Sequence, residues 1–412
     1  MNTSKGETYM RKTKRFTSLA AIAMLGVMAA ACGDDSNTAS TAAPAAGGST
    51  APAATSAAGG TTAPAGTTAG GATTAPAGSA APAGSGPKVA LVYDIGGKGD
   101  QSFNDSAFRG VQKAKDELGI TFSESSPNAD GSNRKELLDL AAQSSDIVLA
   151  IGFLFENDAA TVGKSNPDKT FAVVDSPMLD FTADPAGNTP YAPNVMGLVF
   201  SEEQGSFLVG AAAALKSKTG QVGYVGGVSG LGGLLEKFQA GFTAGAKAAN
   251  PDIKVIAKYI SEAPDVTGFN SPDKARDIAN AMYAGGADII YAAAGGAGAG
   301  VFEAAKATSD SSGSKVWAIG VDSDQYNTAD PAVKDFILTS MIKHVDVAVY
   351  EAIKAQMDGK VVGGPTRYDL KAGGVDYATS GGFVDDIKDK LDAYKADIIS
   401  GKIVVPTDPT KA

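Results

Sequence analysis

The strongest constraint on the fold is a regular alternation of short apolar runs with amphipathic stretches, which begins at Lys88. Near-continuous apolar runs of five to eight residues are typical of parallel strands that are covered on both faces by helices. The predicted strands are Lys88–Asp94, Asp146–Gly152, Thr170–Asp175, Gln221–Val228, Lys254–Ile260, Ala287–Ala294 and Val316–Asp322. Helical patterns between or after them include Ser102–Leu118, Glu202–Lys216, Leu234–Ala249, Lys274–Ala284 and His344–Met357. The alternation predicts an α/β fold built on parallel sheets.

The part of the chain from Lys88 onward is too long for one hydrophobic core, so we expect two α/β lobes. The strand–helix rhythm is interrupted near 188–200, which suggests a first crossing between lobes, and a second is expected near 338–341. The expected division is 88–196 plus 340–360 for the N-terminal lobe and 197–339 plus 361–405 for the C-terminal lobe. Two lobes joined by several crossings form a hinged cleft.

The N-terminal segment has the pattern of a secretory signal peptide over residues 1–31. Five basic residues precede the apolar run Phe16–Ala31, which at about 16 residues is short for a membrane span. Small residues lead to Cys32, the only cysteine, so no disulfide can form within the chain. The junction resembles a bacterial lipobox, with Ala29 where Leu is usual, and this implies lipidation of Cys32. The alternative is an incidental cysteine after an ordinary signal peptide.

A tether is expected over residues 32–87. From Ser36 to Pro87 there is no charge, no aromatic ring and no Leu, Ile, Val or Met, so this segment cannot bury enough apolar surface to fold. The chain carries −10, and residues 1–31 contribute five basic and one acidic residue, or +4, which leaves −14 beyond them. An acidic protein is a poor partner for nucleic acid. We expect a monomer, held at the membrane by its lipid, whose partner is a neutral small molecule or a protein.

The loop after the first strand carries the most informative chemistry. It reads Gly96-Gly-Lys-Gly-Asp-Gln-Ser-Phe-Asn104 and leads into a helix. Ligands of open α/β sheets bind at the carboxyl ends of strands. Phe103 beside Asn104 offers a flat apolar face and a group that both donates and accepts hydrogen bonds, which suits a nucleobase. The alternative is that Ser102 caps the helix and Phe103 fills the core.

Seven segments occur in one order and carry a family resemblance. They are 94–104, 152–158, 171–175, 223–227, 238–242, 319–325 and 339–343. Over roughly Lys88 to Lys402, the chain resembles the basic membrane lipoprotein family, the purine nucleoside receptor-like binding proteins of ABC transporters. The resemblance implies a two-lobed type I periplasmic-binding-protein fold, a nucleoside ligand and an ABC permease as partner. It places the protein on the outer face of the cell membrane.

The resemblance also implies roles for individual residues. Phe103 and Phe238 would stack on the two faces of the base, and Asn104 and Asp158 would bind its edge. Asp322 and Lys343 would hold the ribose hydroxyls, and a carboxylate such as Asp322 can accept hydrogen bonds from two vicinal hydroxyls. Asp94, at the mouth of the first strand, and Gly296, in a glycine-rich turn, are further candidate ligand contacts.

Each of three residues has a structural alternative. Helical spacing makes a core position as reasonable as stacking for Phe238. Asp322 competes with Asp324 for a capping role. Lys343 could be a solvated charge at the start of a helix.

The residue types favour a receptor over an enzyme. The only histidine is His344, the only cysteine is Cys32, and no Gly-x-Ser-x-Gly motif is present. No cofactor and no metal site are expected. A calcium-dependent nucleoside hydrolase stays open as an alternative, since Asp94, Asp100, Asp322 and Asp324 could converge. A receptor for a sugar or another small solute is the second alternative, because sugar sites also use aromatic rings and carboxylates.

Overall fold

The computed structural model describes residues 86–412. The expected signal peptide, Cys32 and the tether as far as residue 85 lie outside the described residues.

Twelve strands and ten α-helices are formed within this range. The strands are β1 Lys88–Val92, β2 Thr121–Ser125, β3 Ile147–Ala150, β4 Thr170–Val174, β5 Val195–Phe200, β6 Gln221–Ser229, β7 Lys254–Glu262, β8 Ile289–Ala293, β9 Trp317–Asp322, β10 Ile337–Lys343, β11 Gly364–Tyr368 and β12 Val375–Tyr377. The helices are α1 Phe103–Leu118, α2 Arg134–Ser144, α3 Glu156–Ser165, α4 Glu202–Lys216, α5 Leu234–Ala249, α6 Pro272–Ala284, α7 Gly298–Ser312, α8 Gln325–Thr328, α9 Val345–Met357 and α10 Lys388–Ile399.

The strands form two six-stranded sheets with matching strand orders. The first sheet has the order β11-β5-β4-β3-β1-β2, and the second has the order β12-β10-β9-β8-β6-β7. Every pairing is parallel except that of β10 with β12. The sheets thus correspond strand by strand, with β4 in the first lobe equivalent to β9 in the second. The two-lobed α/β fold predicted from the sequence is confirmed.

The strand allocation differs from the lobe boundaries expected from the sequence. β5 runs to Phe200 in the first sheet, β10 runs to Lys343 in the second, and β11 belongs to the first sheet. The chain therefore crosses after Phe200, after Lys343 and between β11 and β12. The expected boundaries at 196/197, 339/340 and 360/361 each fall short of these crossings. The reason is that β5 and β10 are continuous apolar strands whose sequence does not show which sheet they join.

Five strands were not predicted from the sequence: β5 and β10, which precede crossings between the lobes, and β2, β11 and β12, which lie at sheet edges. β2 reads Thr-Phe-Ser-Glu-Ser and is largely exposed, and β11 contains Pro365 and Arg367 among exposed residues. β12 has only three residues. An edge strand needs fewer apolar residues than a central strand and tolerates Pro, so its sequence resembles a loop.

Paired helices fix the elements that carry the site. α1 packs on α9 in the first lobe, and α4 packs on α5 in the second. A side chain at Gly241 or Gly245 of α5 would overlap the α4 backbone at Glu203 or Phe207, so glycine allows these two helices to approach closely. This contact sets the position of Glu202 and Phe238, at the ends of α4 and α5 that face the other lobe.

Candidate functional site

A cavity lies between the two lobes, at the carboxyl ends of the parallel strands. Together with its open mouth the space measures about 600 Å³. Seven of the eight expected ligand residues line it, namely Asp94, Phe103, Asn104, Phe238, Gly296, Asp322 and Lys343. The sequence had not indicated Phe153, Asp175, Leu234, Leu235 and Phe269 as lining residues.

The two expected stacking rings face this cavity from opposite lobes. Phe103 is the first residue of α1, and Phe238 lies in the second turn of α5. Phe238 is only 4% exposed, and it both packs in the hydrophobic core and lines the cavity. The core position and the stacking position that the sequence left open for Phe238 are therefore compatible. A flat ligand between these rings would contact both lobes at once.

Asp94 and Asn104 form a hydrogen-bonded pair on one wall. The backbone N–H of Asp94 donates to Asn104 Oδ1 at 3.0 Å, which leaves the Asn104 amide N–H groups for a ligand. Asp94 Oδ1 accepts the N–H of Ile95 at 2.7 Å. Its Oδ2 faces Gly152, where any side chain would overlap it, so a glycine with φ of 113° is required there. The wall thus presents a donor beside an acceptor. Burial raises the pKa of Asp94 to about 6.

Asp322 projects from the end of β9 on the opposite lobe. Its φ of 64° is in the left-handed region, an unusual conformation for a residue with a side chain, and such strain clusters at functional sites. Its Oδ2 accepts the hydroxyl proton of Ser102 at 2.6 Å, across the cleft. Burial raises the pKa of Asp322 to about 6, against the lowering effects of Lys343 and Ser102. Asp322 is thus a ligand candidate and a contact between lobes, rather than a helix cap.

Lys343 is buried in an ion cluster and is not the solvated charge that the sequence left open. Its side chain is 2% exposed, and Nζ lies 2.6 and 2.7 Å from the two carboxylate oxygens of Asp175. Glu202 Oε1 is 3.4 Å away. Burial opposes the charge of Lys343, but attraction to Asp175, Glu202 and Asp322 outweighs it and raises the pKa of Lys343. Nζ also lies 5.1 Å from the ring centre of Phe103 and 5.6 Å from that of Phe238.

Asp175 is the residue whose importance the sequence analysis missed. It follows β4, the counterpart of β9, and its φ of 67° matches the 64° of Asp322. The two carboxylates thus occupy equivalent positions in the two lobes. An aspartate at the end of each of two strands, Phe-Ala-Val-Val-Asp175 and Ala-Ile-Gly-Val-Asp322, was the signal available in the sequence.

Asp158 does not line the cavity. It lies in the first turn of α3, and a 3-10 turn at Phe153–Phe155 before that helix puts Phe153 on the cavity wall instead. The contact of Asp158 with a ligand edge stays a prediction, and the cavity walls do not support it.

The capping role considered for Ser102 belongs to Asp100. Its carboxylate accepts the backbone N–H groups of Ser102, Asn104 and Asp105 at 2.8–3.1 Å. Burial raises the pKa of Asp100 against these hydrogen bonds. Gly296 faces Asp100 from the second lobe, and a Cβ there would lie 3.4 Å from Asp100 Cβ.

The calcium alternative needs carboxylates that are grouped around one point. In residues 86–412, no three His, Cys, Asp or Glu side chains are arranged as a metal-binding group. Asp324, one of the four carboxylates considered, lines a different cavity near the hinge. No helix within the described range is long and apolar enough to cross a membrane.

Solved structures show the class of protein to which this architecture belongs. A solute-binding protein of an ABC transporter from Aeropyrum pernix K1 is 27% identical with a TM-score of 0.65, covering 78% of this chain and 94% of that one. A second one, from Conexibacter woesei, shares the fold with a TM-score of 0.60 at 23% identity, over 78% of this chain and 98% of its own. The fold is that of the two-lobed periplasmic-binding proteins.

Sequence comparison identifies the family. The model of the Bmp family, described as ABC transporter substrate-binding protein PnrA-like, matches residues 87–409. An ABC transporter nucleoside-binding protein BmpA of Lactococcus lactis is 34% identical over 334 residues, covering 78% of this chain and 89% of the relative. Basic membrane protein A of Borreliella burgdorferi is 34% identical over 327 residues, covering 78% and 88%. The chain belongs to the PnrA-like family of ABC transporter substrate-binding proteins, as the sequence motifs indicated.

Proposed function

We propose that this protein captures a nucleoside, preferably a purine nucleoside, and delivers it unchanged to an ABC importer. The observation that carries the proposal is the pair of phenyl rings, Phe103 and Phe238, which face one cavity from opposite lobes. Stacking of a base on an aromatic side chain contributes about 1–3 kcal/mol. A base between two rings therefore stabilises the closed arrangement of the lobes.

The wall formed by Asp94 and Asn104 supports recognition of a base edge. Asn104 Nδ2 donates, and Asp94 Oδ2 accepts when ionised. Adenine presents a complementary acceptor and donor at N7 and its amino group. The N1–H and O6 of a 6-oxopurine are equally complementary to the pair. The wall therefore suits purines of both kinds.

The opposite wall supports recognition of the ribose. One oxygen of Asp322 is bonded to Ser102, and its other oxygen is available to accept a ligand hydroxyl. Lys343 has two of its donors directed at Asp175 and Glu202 and lines the cavity as a further donor. Four carboxylates line the cavity, Asp94, Asp100, Asp175 and Asp322, against one lysine. This charge balance favours a neutral nucleoside over a phosphorylated nucleotide.

Three further points support transport over catalysis. The Lactococcus relative is named a nucleoside-binding protein of an ABC transporter. The family consists of substrate-binding proteins, which implies a permease as partner. The proposed lipid anchor at Cys32 and the chain beyond it would keep a monomeric receptor at the outer face of the cell membrane.

Calorimetry on the full-length chain tests the ligand class. We expect adenosine, guanosine and inosine to bind at least tenfold more tightly than ribose, glucose or free adenine, and AMP to bind more than tenfold more weakly than adenosine. Mass spectrometry of the incubated ligand should recover the intact nucleoside. Tighter binding of a sugar would replace the proposal with the solute alternative, and release of free base would replace it with a hydrolase.

A further inference from the structure

A group of hydrogen bonds joins the two lobes beside the ligand cavity. Gln101, Ser102 and Arg109 of the first lobe meet Asp322, Ser323, Gln325 and Thr328 of the second, and these seven residues are called the clasp here. Thr328 Oγ1 donates to the carbonyl of Gln101 at 2.9 Å, and Gln325 Nε2 donates to the same oxygen at 3.3 Å. Two lobes held at these distances are in a closed arrangement.

Ser102 and Ser323 form the centre of the clasp. Ser323 Oγ donates to the carbonyl of Ser102 at 2.7 Å and accepts from the guanidinium of Arg109 at 2.8 Å. Ser102 Oγ donates to Asp322 Oδ2 at 2.6 Å. Both serines are buried, so the bonds of Ser102 to Asp322 and of Ser323 to the Ser102 carbonyl are protected from water, whereas Arg109 is exposed. Hydrogen bonds to a charged group are also stronger than those between neutral groups.

The clasp is built rigidly on both sides. Gln101 has φ of 57°, in the left-handed region, and its N–H donates to Asp105 Oδ2 at 3.0 Å. On the second lobe, Gln325 Oε1 accepts the N–H of Val321 at 2.8 Å, and its own N–H donates to Ser340 Oγ at 3.1 Å. Each half is thus fixed within its own lobe, and closure brings two preformed surfaces together.

We propose that the clasp holds the lobes together in part of the population even without ligand, and that Asp322 couples ligand binding to it. The coupling to ligand rests on the proposed function, but the effect on closure does not. Of the second-lobe clasp residues, only Asp322 lines the ligand cavity, whereas Ser323, Gln325 and Thr328 do not. Ser102 acts as a positioning residue, because it orients the Asp322 carboxylate toward the ligand only when the lobes are closed. By reciprocity, a ligand on Asp322 favours the clasp.

Distance measurements between two spin labels test the clasp without any ligand. The full-length chain carries Cys32→Ser together with Glu136→Cys on α2 and Ala307→Cys on α7, both exposed and on different lobes. We expect the ligand-free protein to show a short and a long distance. Thr328→Val and Ser323→Ala should each lower the ratio of short to long about two- to tenfold, as the loss of a hydrogen bond implies. Thr161→Val is the matched control, because its hydroxyl bonds only within α3.

Binding kinetics give the second measurement. With adenosine as the probe, Thr328→Val should raise the dissociation rate by about the same factor and leave the association rate within twofold. Ser102→Ala should act on both the distance ratio and the dissociation rate. A ligand-free protein with only the long distance, or a ratio that does not change in Thr328→Val and Ser323→Ala, overturns the clasp. If these ratios change as expected but adenosine does not bind, the proposed function is wrong and the clasp stands.

Discussion

Removing the charge of Lys343 tests whether the ion cluster of Lys343, Asp175 and Glu202 at the cavity is desolvated. Lys343→Met keeps a long side chain but leaves Asp175 and Glu202 facing each other, with side chains 6% and 1% exposed. Breaking a buried ion pair by removing one partner costs about 3–5 kcal/mol, because the remaining charge is unpaired. For a folded body of this length, this loss corresponds to a decrease of about 4–7 °C in the melting temperature.

The destabilisation should depend on pH in a defined direction. Without the lysine the two carboxylates can relieve their repulsion by protonation, and burial already raises the pKa of Glu202. The variant therefore takes up protons on folding, and its deficit relative to the wild type should shrink as the pH falls from 8 to 5. Thermal and urea unfolding at four pH values, without ligand, measure both the deficit and its slope.

Lys237→Met is the matched control. Lys237 lies 3.8 Å from the same Glu202 but is 35% exposed, so the loss of its charge should cost less than 1 kcal/mol. Adding Asp175→Asn to Lys343→Met should restore part of the stability. If Lys343→Met lowers the free energy of unfolding no more than Lys237→Met does, and this loss does not vary with pH, the ion cluster is solvated rather than buried.

Three further changes test the walls of the cavity. Phe103→Ala should weaken adenosine binding at least tenfold in calorimetry. Phe181→Ala is the control, because it removes a ring that is 51% exposed and lies outside the cavity, and it should not change the affinity. If both variants bind adenosine as tightly as the wild type, Phe103 does not stack on the base. Asp94→Asn should gain stability relative to the wild type as the pH rises from 4 to 7, by on the order of 3 kcal/mol in urea unfolding. The reason is that the protonated carboxyl of Asp94, with a raised pKa of about 6, favours the folded state at low pH, and the wild type loses this contribution when Asp94 ionises. A difference in stability between variant and wild type that does not change with pH would show that Asp94 is not desolvated. Gly152→Ala should lower both stability and adenosine affinity for two reasons: the new Cβ would overlap the Asp94 carboxylate, and alanine is strained at the φ of 113° that Gly152 adopts. Wild-type stability and affinity in this variant would contradict the tight fit of Gly152 against Asp94.

The sequence predicted central strands better than edge strands for a physical reason. A strand buried on both faces, such as β3 or β8, must be apolar throughout, and this pattern is visible without any knowledge of its neighbours. An edge strand such as β11 is defined by hydrogen bonds to a partner on one side only. Those bonds use the backbone, which the side-chain pattern does not report.

For the site, too, the residues whose position follows from strand ends and helix starts were predicted better than those whose position depends on the tertiary structure. Phe103, Asn104 and Asp322 stand at ends of predicted strands or starts of helices, so parallel-sheet geometry places them at one rim. The resemblance alone assigned Asp158 to the site, and Asp158 is not among the residues that line the cavity. The sequence did not show Glu202 as a partner of Lys343, because Glu202 begins α4 and Lys343 ends β10, far apart in the chain. Only the fold brings the two side chains to 3.4 Å.

The sequence by itself determined that the chain forms parallel α/β lobes, because burial and strand-end position are local properties of the pattern, and with the family resemblance it named seven of the residues that line the cavity. Only the tertiary structure decided how charges pair and how the lobes meet. Lys343 is neutralised by Asp175 and Glu202, and Ser102 bonds to Asp322 instead of capping its own helix. Such contacts depend on the relative placement of two sheets, which no segment of the sequence encodes alone.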